Sequence, residues 1–83
     1  MSEFVKSKKR IVLSPGESVK IARELLGWSQ QDLGKKCGIP QSTISGIESG
    51  RIALGLERAK KLAQAMRLHP SVLVFSDWEL KAA

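Results

Sequence analysis

The sequence predicts one all-α domain of five short helices, and three observations carry the prediction. Helix-start signals recur: Ser14-Pro15-Gly16-Glu17 and Ser29-Gln30-Gln31-Asp32 each place an acid three residues after a capping serine. Between Gly and Pro residues, apolar side chains return every three or four positions, the period of an amphipathic helix. No alternating pattern longer than a stub at Ile11 to Leu13 suggests a strand. With 83 residues, 42% of them hydrophobic, the chain has material for a single compact core.

Met1 to Leu13 carries Lys6, Lys8, Lys9 and Arg10 and reads as a mobile basic arm ending in a short extended piece. Residues 14–83 then form the domain, with a C-terminal segment for dimerisation. Helix 1 spans about Pro15 to Leu26. Ser14 caps it, Pro15 takes the first helical position, Glu17 completes a capping box and Gly27 ends it. Its apolar face is Val19, Ala22, Leu25 and Leu26. Helix 2, Gln30 to Cys37, sets Leu33 and Cys37 on one face and stops at Gly38. Pro40 fits only at a helix start, so helix 3 runs from there or from Gln41 to Ser49. Ile44 and Ile47 point inward, while Gln41, Ser42, Ser45 and Gly46 face away, and Gly50 ends the helix. A loop, Arg51 to Gly55, leads to helix 4 from about Leu56 to Met66. Its apolar face is Leu56, Ala59, Leu62, Ala63 and Met66, and Arg58, Lys60, Lys61 and Arg67 make the wet side. Pro70 opens a last helix through about Phe75.

Charge and composition narrow the function. Fourteen Lys and Arg against eight Asp and Glu give a net charge of +6, which suits a polyanionic partner such as nucleic acid. The longest apolar run, Val72 to Phe75, falls far short of the roughly 20 residues of a membrane span. One cysteine leaves no internal disulfide and points to a cytoplasmic chain. One Cys and one His are too few for the usual metal cage. No nucleophile–base pair or phosphate loop suggests an enzyme, and no cofactor is expected. Cys37 reads as a small core residue, Trp28 as a wedge between helices 1 and 2, and His69 as the end of a loop.

Gln30 to Ser49 is the informative stretch. A short helix, a turn containing Gly and a second short helix form a helix-turn-helix. Gly34 is small where helix 3 passes close, Gly38 supplies the left-handed turn, and Leu33, Cys37, Ile39, Ile44 and Ile47 fill the wedge. QQDLGKKCGIPQSTISGIESG closely resembles the helix-turn-helix of the lambda-repressor/Cro-like (XRE-like) family. Gln30, Leu33, Gly38, Ile39, Ile44, Ser45, Ile47, Glu48 and Gly50 match its pattern, and the likeness extends from about Ser14 to Phe75. It implies a five-helix lambda-repressor-like DNA-binding fold, a homodimer on a palindromic operator in double-stranded DNA, and an ion pair between Arg23 and Glu48. Two departures stand out. Gly34 replaces the commoner Ala, an exchange expected to be sterically harmless, and Pro40 replaces the usual capping Ser.

In that reading helix 3 enters the major groove with its N-terminal residues at the base edges. Gln41 bonds an adenine bidentately, with Ser42 and Ser45 beside it. Gly46 stands where many relatives carry a long polar side chain, so here either fewer bases are read or the backbone approaches the groove more closely. Gln30 at the start of helix 2, Thr43 and Arg51 are the phosphate candidates. The basic arm either solubilises the chain or reaches the minor groove. Phe75, Trp78 and Leu80 either close the core or form the dimer interface. The function expected is a dimeric, sequence-specific transcriptional repressor. ISGIESGRIALGLERAKKLAQAMRLHPSVLVFSDWE also resembles short HigA-type antitoxins, which bind a toxin protein and repress their own operon. Restriction–modification controller proteins are a further resemblance.

Overall fold

The computed structural model describes residues 10–74 and 77–79. Among them are β1 (Arg10–Val12), α1 (Pro15–Leu25), α2 (Gln30–Cys37), α3 (Gln41–Ser49), α4 (Gly55–Met66), α5 (Ser71–Val74) and β2 (Asp77–Glu79). The helical domain is as expected, and the extended stub has a partner. β1 pairs antiparallel with β2, with Arg10 opposite Glu79, Ile11 opposite Trp78 and Val12 opposite Asp77. The last residues of the expected arm are thus tied to the chain beyond α5. Lys6, Lys8 and Lys9 lie outside the described residues, as do Phe75, Leu80 and the side chain of Trp78 on which the expected interface rests.

Local chemistry sets the helix ends. The Ser14 Oγ accepts the Glu17 N–H at 3.1 Å while Glu17 Oε1 accepts the Ser14 N–H at 2.8 Å. α2 opens with a second reciprocal box: Ser29 Oγ accepts from the Asp32 N–H, and Asp32 Oδ2 from the Ser29 N–H, both at 2.9 Å. α3 starts at Pro40 without a side-chain cap, as its loss of serine implies. Gly38 closes α2 at φ 75°, a left-handed conformation that glycine adopts without steric cost and that turns the chain sharply into α3. At the start of α5, His69 Nδ1 accepts the Ser71 N–H at 3.1 Å, so His69 does finish its loop.

The core is Val19, Leu33, Ile39, Ile44, Ile47, Leu54, Ala59, Leu62, Ala63, Met66 and Leu73. α1 packs on α3, α4 and α5, while α2 rests on α3 and α4. Three expected core positions are exposed: Leu25 at 82%, Leu26 at 45% and Leu56 at 62%. In α1 the inward stripe is Gly16, Val19 and Arg23, which turns Leu25 toward solvent. Leu54, just before α4, is buried where Leu56 was expected. Trp28 packs half-buried against the core, with the Lys36 Nζ 4.7 Å from its ring centroid.

Two glycines mark where helices meet backbone to backbone. A Cβ on Gly16 would overlap the Ile47 carbonyl, standing 2.9 Å from its carbon, so α1 crosses α3 in near-contact. A Cβ on Gly34 would lie 2.6 Å from the Ile39 carbonyl oxygen, as the close approach of helix 3 predicts. Gly34 is therefore not a harmless exchange for alanine in this chain: its neighbour is rigid backbone.

Candidate nucleic-acid interface

The site is built outward from a buried ion pair. Arg23 on α1 donates from Nε to Glu48 Oε2 at 2.8 Å and from Nη2 to Glu48 Oε1 at 2.9 Å, a two-pronged contact with the end of α3. Its Nη1 donates to the Trp28 carbonyl at 2.8 Å. The two side chains are 9% and 4% exposed, so the expected pair is present and lies within the protein. The Glu48 hydrogen bond raises the Arg23 pKa further above its ordinary value, against the opposing effect of burial.

Glu48 does more than hold α1. Its Oε1 also accepts from Gln30 Nε2 at 3.0 Å, and Gln30 Oε1 in turn accepts from Gln41 Nε2 at 2.8 Å. A carboxylate can only accept, so it fixes which way the Gln30 amide faces, and Gln30 then fixes Gln41. That bond leaves Gln41, exposed at the start of α3, its carbonyl oxygen and one N–H for other partners. That is the acceptor–donor pair which matches adenine N6 and N7. Gln30, expected to clamp a phosphate, spends its oxygen and one N–H inside the protein and keeps a single N–H for any outside partner.

The other expected residues divide. Ser42 is exposed one residue after Gln41, and Ser45 and Thr43 are half-buried. Gly46, expected on the outer face, is buried instead. After Gly50 turns the chain at φ 88°, the Ile52 N–H bonds the Gly46 carbonyl at 3.0 Å, and the Ile52 side chain fills the place of a Cβ at position 46. Gly46 thus has no open side from which to meet a base. Arg51 is exposed, with its guanidinium lying back along α3. Lys20 was not singled out from sequence. It is exposed on α1 at the rim of a polar depression lined by Arg23, Gln30, Ser45, Glu48 and Ser49. Its signal was positional: a lysine on α1, three residues before Arg23. Arg58, Lys60, Lys61 and Arg67 are exposed on and just beyond α4, as expected. Among the described residues no cluster of His, Cys, Asp or Glu could hold a metal, and no helix is long and apolar enough to cross a membrane.

Residues 19–73 match the model of a helix-turn-helix family. The chain belongs to this helix-turn-helix family. Family and fold are those of DNA-binding regulators and not of enzymes. The chain is 37% identical over 51 residues to the antitoxin HipB of Escherichia coli K12, covering 61% of this chain and 58% of that one. In structure it is similar to the P22 c2 repressor in complex with a synthetic operator: TM-score 0.72, 28% identity, 78% of this chain and 98% of that chain. The restriction–modification controller protein C.AhdI from Aeromonas hydrophila superposes at a TM-score of 0.68 with 30% identity, over 71% of this chain and 89% of the other. The chain spans about half the length of the curated relatives it matches.

Proposed function

We propose that the protein is a cytoplasmic, dimeric, sequence-specific repressor that binds a palindromic operator in double-stranded DNA through α3. One observation carries the reading: a relay from buried Glu48 through Gln30 anchors the exposed Gln41 by one N–H and leaves it one acceptor and one donor for a base. Ser42 and Ser45 flank it as further base contacts. The capping box uses the N–H groups of Ser29 and Asp32, which leaves those of Gln30 and Gln31 at the positive end of α2 for a phosphate. Thr43 and Lys20 supply flanking phosphate contacts. A single α3 presents too few side chains to define a unique site, so two copies about 34 Å apart would read one face of the duplex.

The test is selection of binding sequences from random duplexes, followed by equilibrium titration of the protein and of Gln41→Ala. The variant loses about 1–3 kcal/mol at the selected site, the scale of one bidentate base contact, and almost nothing on unrelated DNA. Equal loss on both DNAs would remove Gln41 from the reading head. A selected site without two-fold symmetry would overturn the dimer.

A second reading, an antitoxin that binds a toxin and represses its own operon, is favoured by the likeness to HipB and by one surface. Ile21 and Leu25, 43% and 82% exposed, lie on the side of α1 turned from α3. A protein partner could cover them while α3 stayed free. Co-expression with the product of the neighbouring gene distinguishes the readings: a stable complex lost on Leu25→Glu supports the antitoxin.

A further inference from the structure

We propose that Arg51, from the loop after α3, reads a guanine in the major groove and takes the part that a side chain at position 46 would otherwise play. The inference rests on the DNA-binding reading above and names a base-reading residue for the same site. Ser42 and Gly46 are one helical turn apart on the same row of α3, so position 46 continues the line of side chains that starts at the exposed Ser42. Glycine leaves that place empty of its own atoms, and the following loop occupies it. Gly50 reverses the chain in the left-handed conformation, and the Ile52 N–H anchors the loop to the Gly46 carbonyl at 3.0 Å. Ile52 packs onto the bare helix backbone. Arg51 Nη2 then stands 3.5 Å from the point where a Cβ of residue 46 would be. The guanidinium therefore lies against the recognition helix rather than extending beyond its end.

Arg51 is exposed, and among the described residues no carboxylate or carbonyl holds its guanidinium. Arg58, by comparison, donates to the Ala53 carbonyl at 2.9 Å, and Arg23 is committed to Glu48 and Trp28. An unpaired planar fork on the outer row of α3 matches the O6 and N7 acceptors of guanine, a two-point contact that adenine, with its N6 donor, refuses. Gln41 and Arg51 would thus read different base pairs, one from the start of α3 and one from the loop that folds back on it. Ile52 holds the loop in register, and Gly46 is what allows it to close.

The experiment uses the full chain and duplexes selected from a random pool. Affinity is measured for the best site and for all single-base-pair variants of it, with wild type, Arg51→Lys and Arg51→Ala, each checked by thermal melting. Arg51→Lys keeps the charge but not the fork. It is expected to lose roughly 5- to 150-fold at the best site, to become indifferent to one G·C pair in each half-site, and to keep the wild-type salt dependence. Arg51→Ala shows the same loss of preference and a shallower salt slope. Arg51→Lys binding like wild type, with the G·C preference intact, overturns the proposal and leaves Arg51 as a phosphate contact. Selection of no sequence by the wild-type protein overturns the DNA reading itself, a distinct result. Melting curves that superpose exclude loss of fold as the cause, since Arg51 is exposed.

Discussion

Replacing Glu48 by alanine tests the most consequential contact in the structure. The carboxylate accepts three hydrogen bonds, two from Arg23 and one from Gln30, and it is 4% exposed. Its removal leaves Arg23, a residue only 8% exposed, with the Trp28 carbonyl as its remaining hydrogen-bond acceptor and the exposed Glu24 carboxylate 4.0 Å away. Breaking a buried pair from one side costs about 3–5 kcal/mol, because the orphaned charge stays in a poorly solvated place. A domain of this length has about 4–12 kcal/mol of total stability. At about 4–8 °C per kcal/mol, the melting temperature falls by roughly 12–40 °C. Arg23→Met in the Glu48→Ala background removes the orphan, and the double variant is expected to be more stable than Glu48→Ala alone. Far-UV circular dichroism on heating, together with urea titration, measures wild type, both single variants and the double. A loss under about 1 kcal/mol, the range of surface pairs, or strictly additive single changes would refute the reasoning.

Further outcomes follow from single contacts. Gly34→Ala destabilises by about 1 kcal/mol or more despite the better helix propensity of alanine, since the new Cβ meets the Ile39 carbonyl oxygen at 2.6 Å; urea midpoints at constant slope check it. Gln30→Ala removes one hydrogen bond to the Glu48 carboxylate, costing about 1.5–3 kcal/mol, and weakens preference at the base pair proposed for Gln41, whose amide loses its anchor; urea midpoints and titration on selected and altered duplexes measure the two effects. The backbone and side-chain hydrogen bonds at Ser29 hold the Asp32 carboxyl below its ordinary 3.8. The unfolded chain therefore takes up this proton first, so the contribution of Asp32 is complete above about pH 4 and is lost as pH falls through the depressed value. Asp32→Asn removes that part of the acid sensitivity, which melting between pH 2 and 5 resolves.

Much of the fold was legible because short-range chemistry decides it. A serine, an acid three residues on and a glycine at the far end locate α1 and α2 without knowledge of anything distant, and both capping boxes are present. Where an apolar residue ends up depends on more than its period. The spacing of Val19, Ala22, Leu25 and Leu26 admits more than one inward face, and the choice was made by Arg23, whose partner lies 25 residues away. The same limit applies to Gly46: its position on α3 says outward, and its burial comes from the path of the loop after Gly50. That Gln41 and Ser42 face solvent needed only the helix start, and both are exposed there. The commitment of Gln30 to Glu48 and Gln41 spans 18 and 11 residues, and no local pattern records it.

Glu48 connects the two kinds of information. As the partner of Arg23 it fixes α1 against α3, a packing role that accounts for a buried acid in so small a domain. As an acceptor for Gln30 it sets the direction of two amides, each of which would otherwise rotate freely between two nearly equivalent faces. The energetic anchor and the orientation of the exposed Gln41 amide therefore share one carboxylate. The charge is kept where a hydrophobic pair of similar volume would stabilise as well, and the reason lies in what that alternative lacks. A hydrophobic pair could join the helices but could not tell Gln41 which way to face.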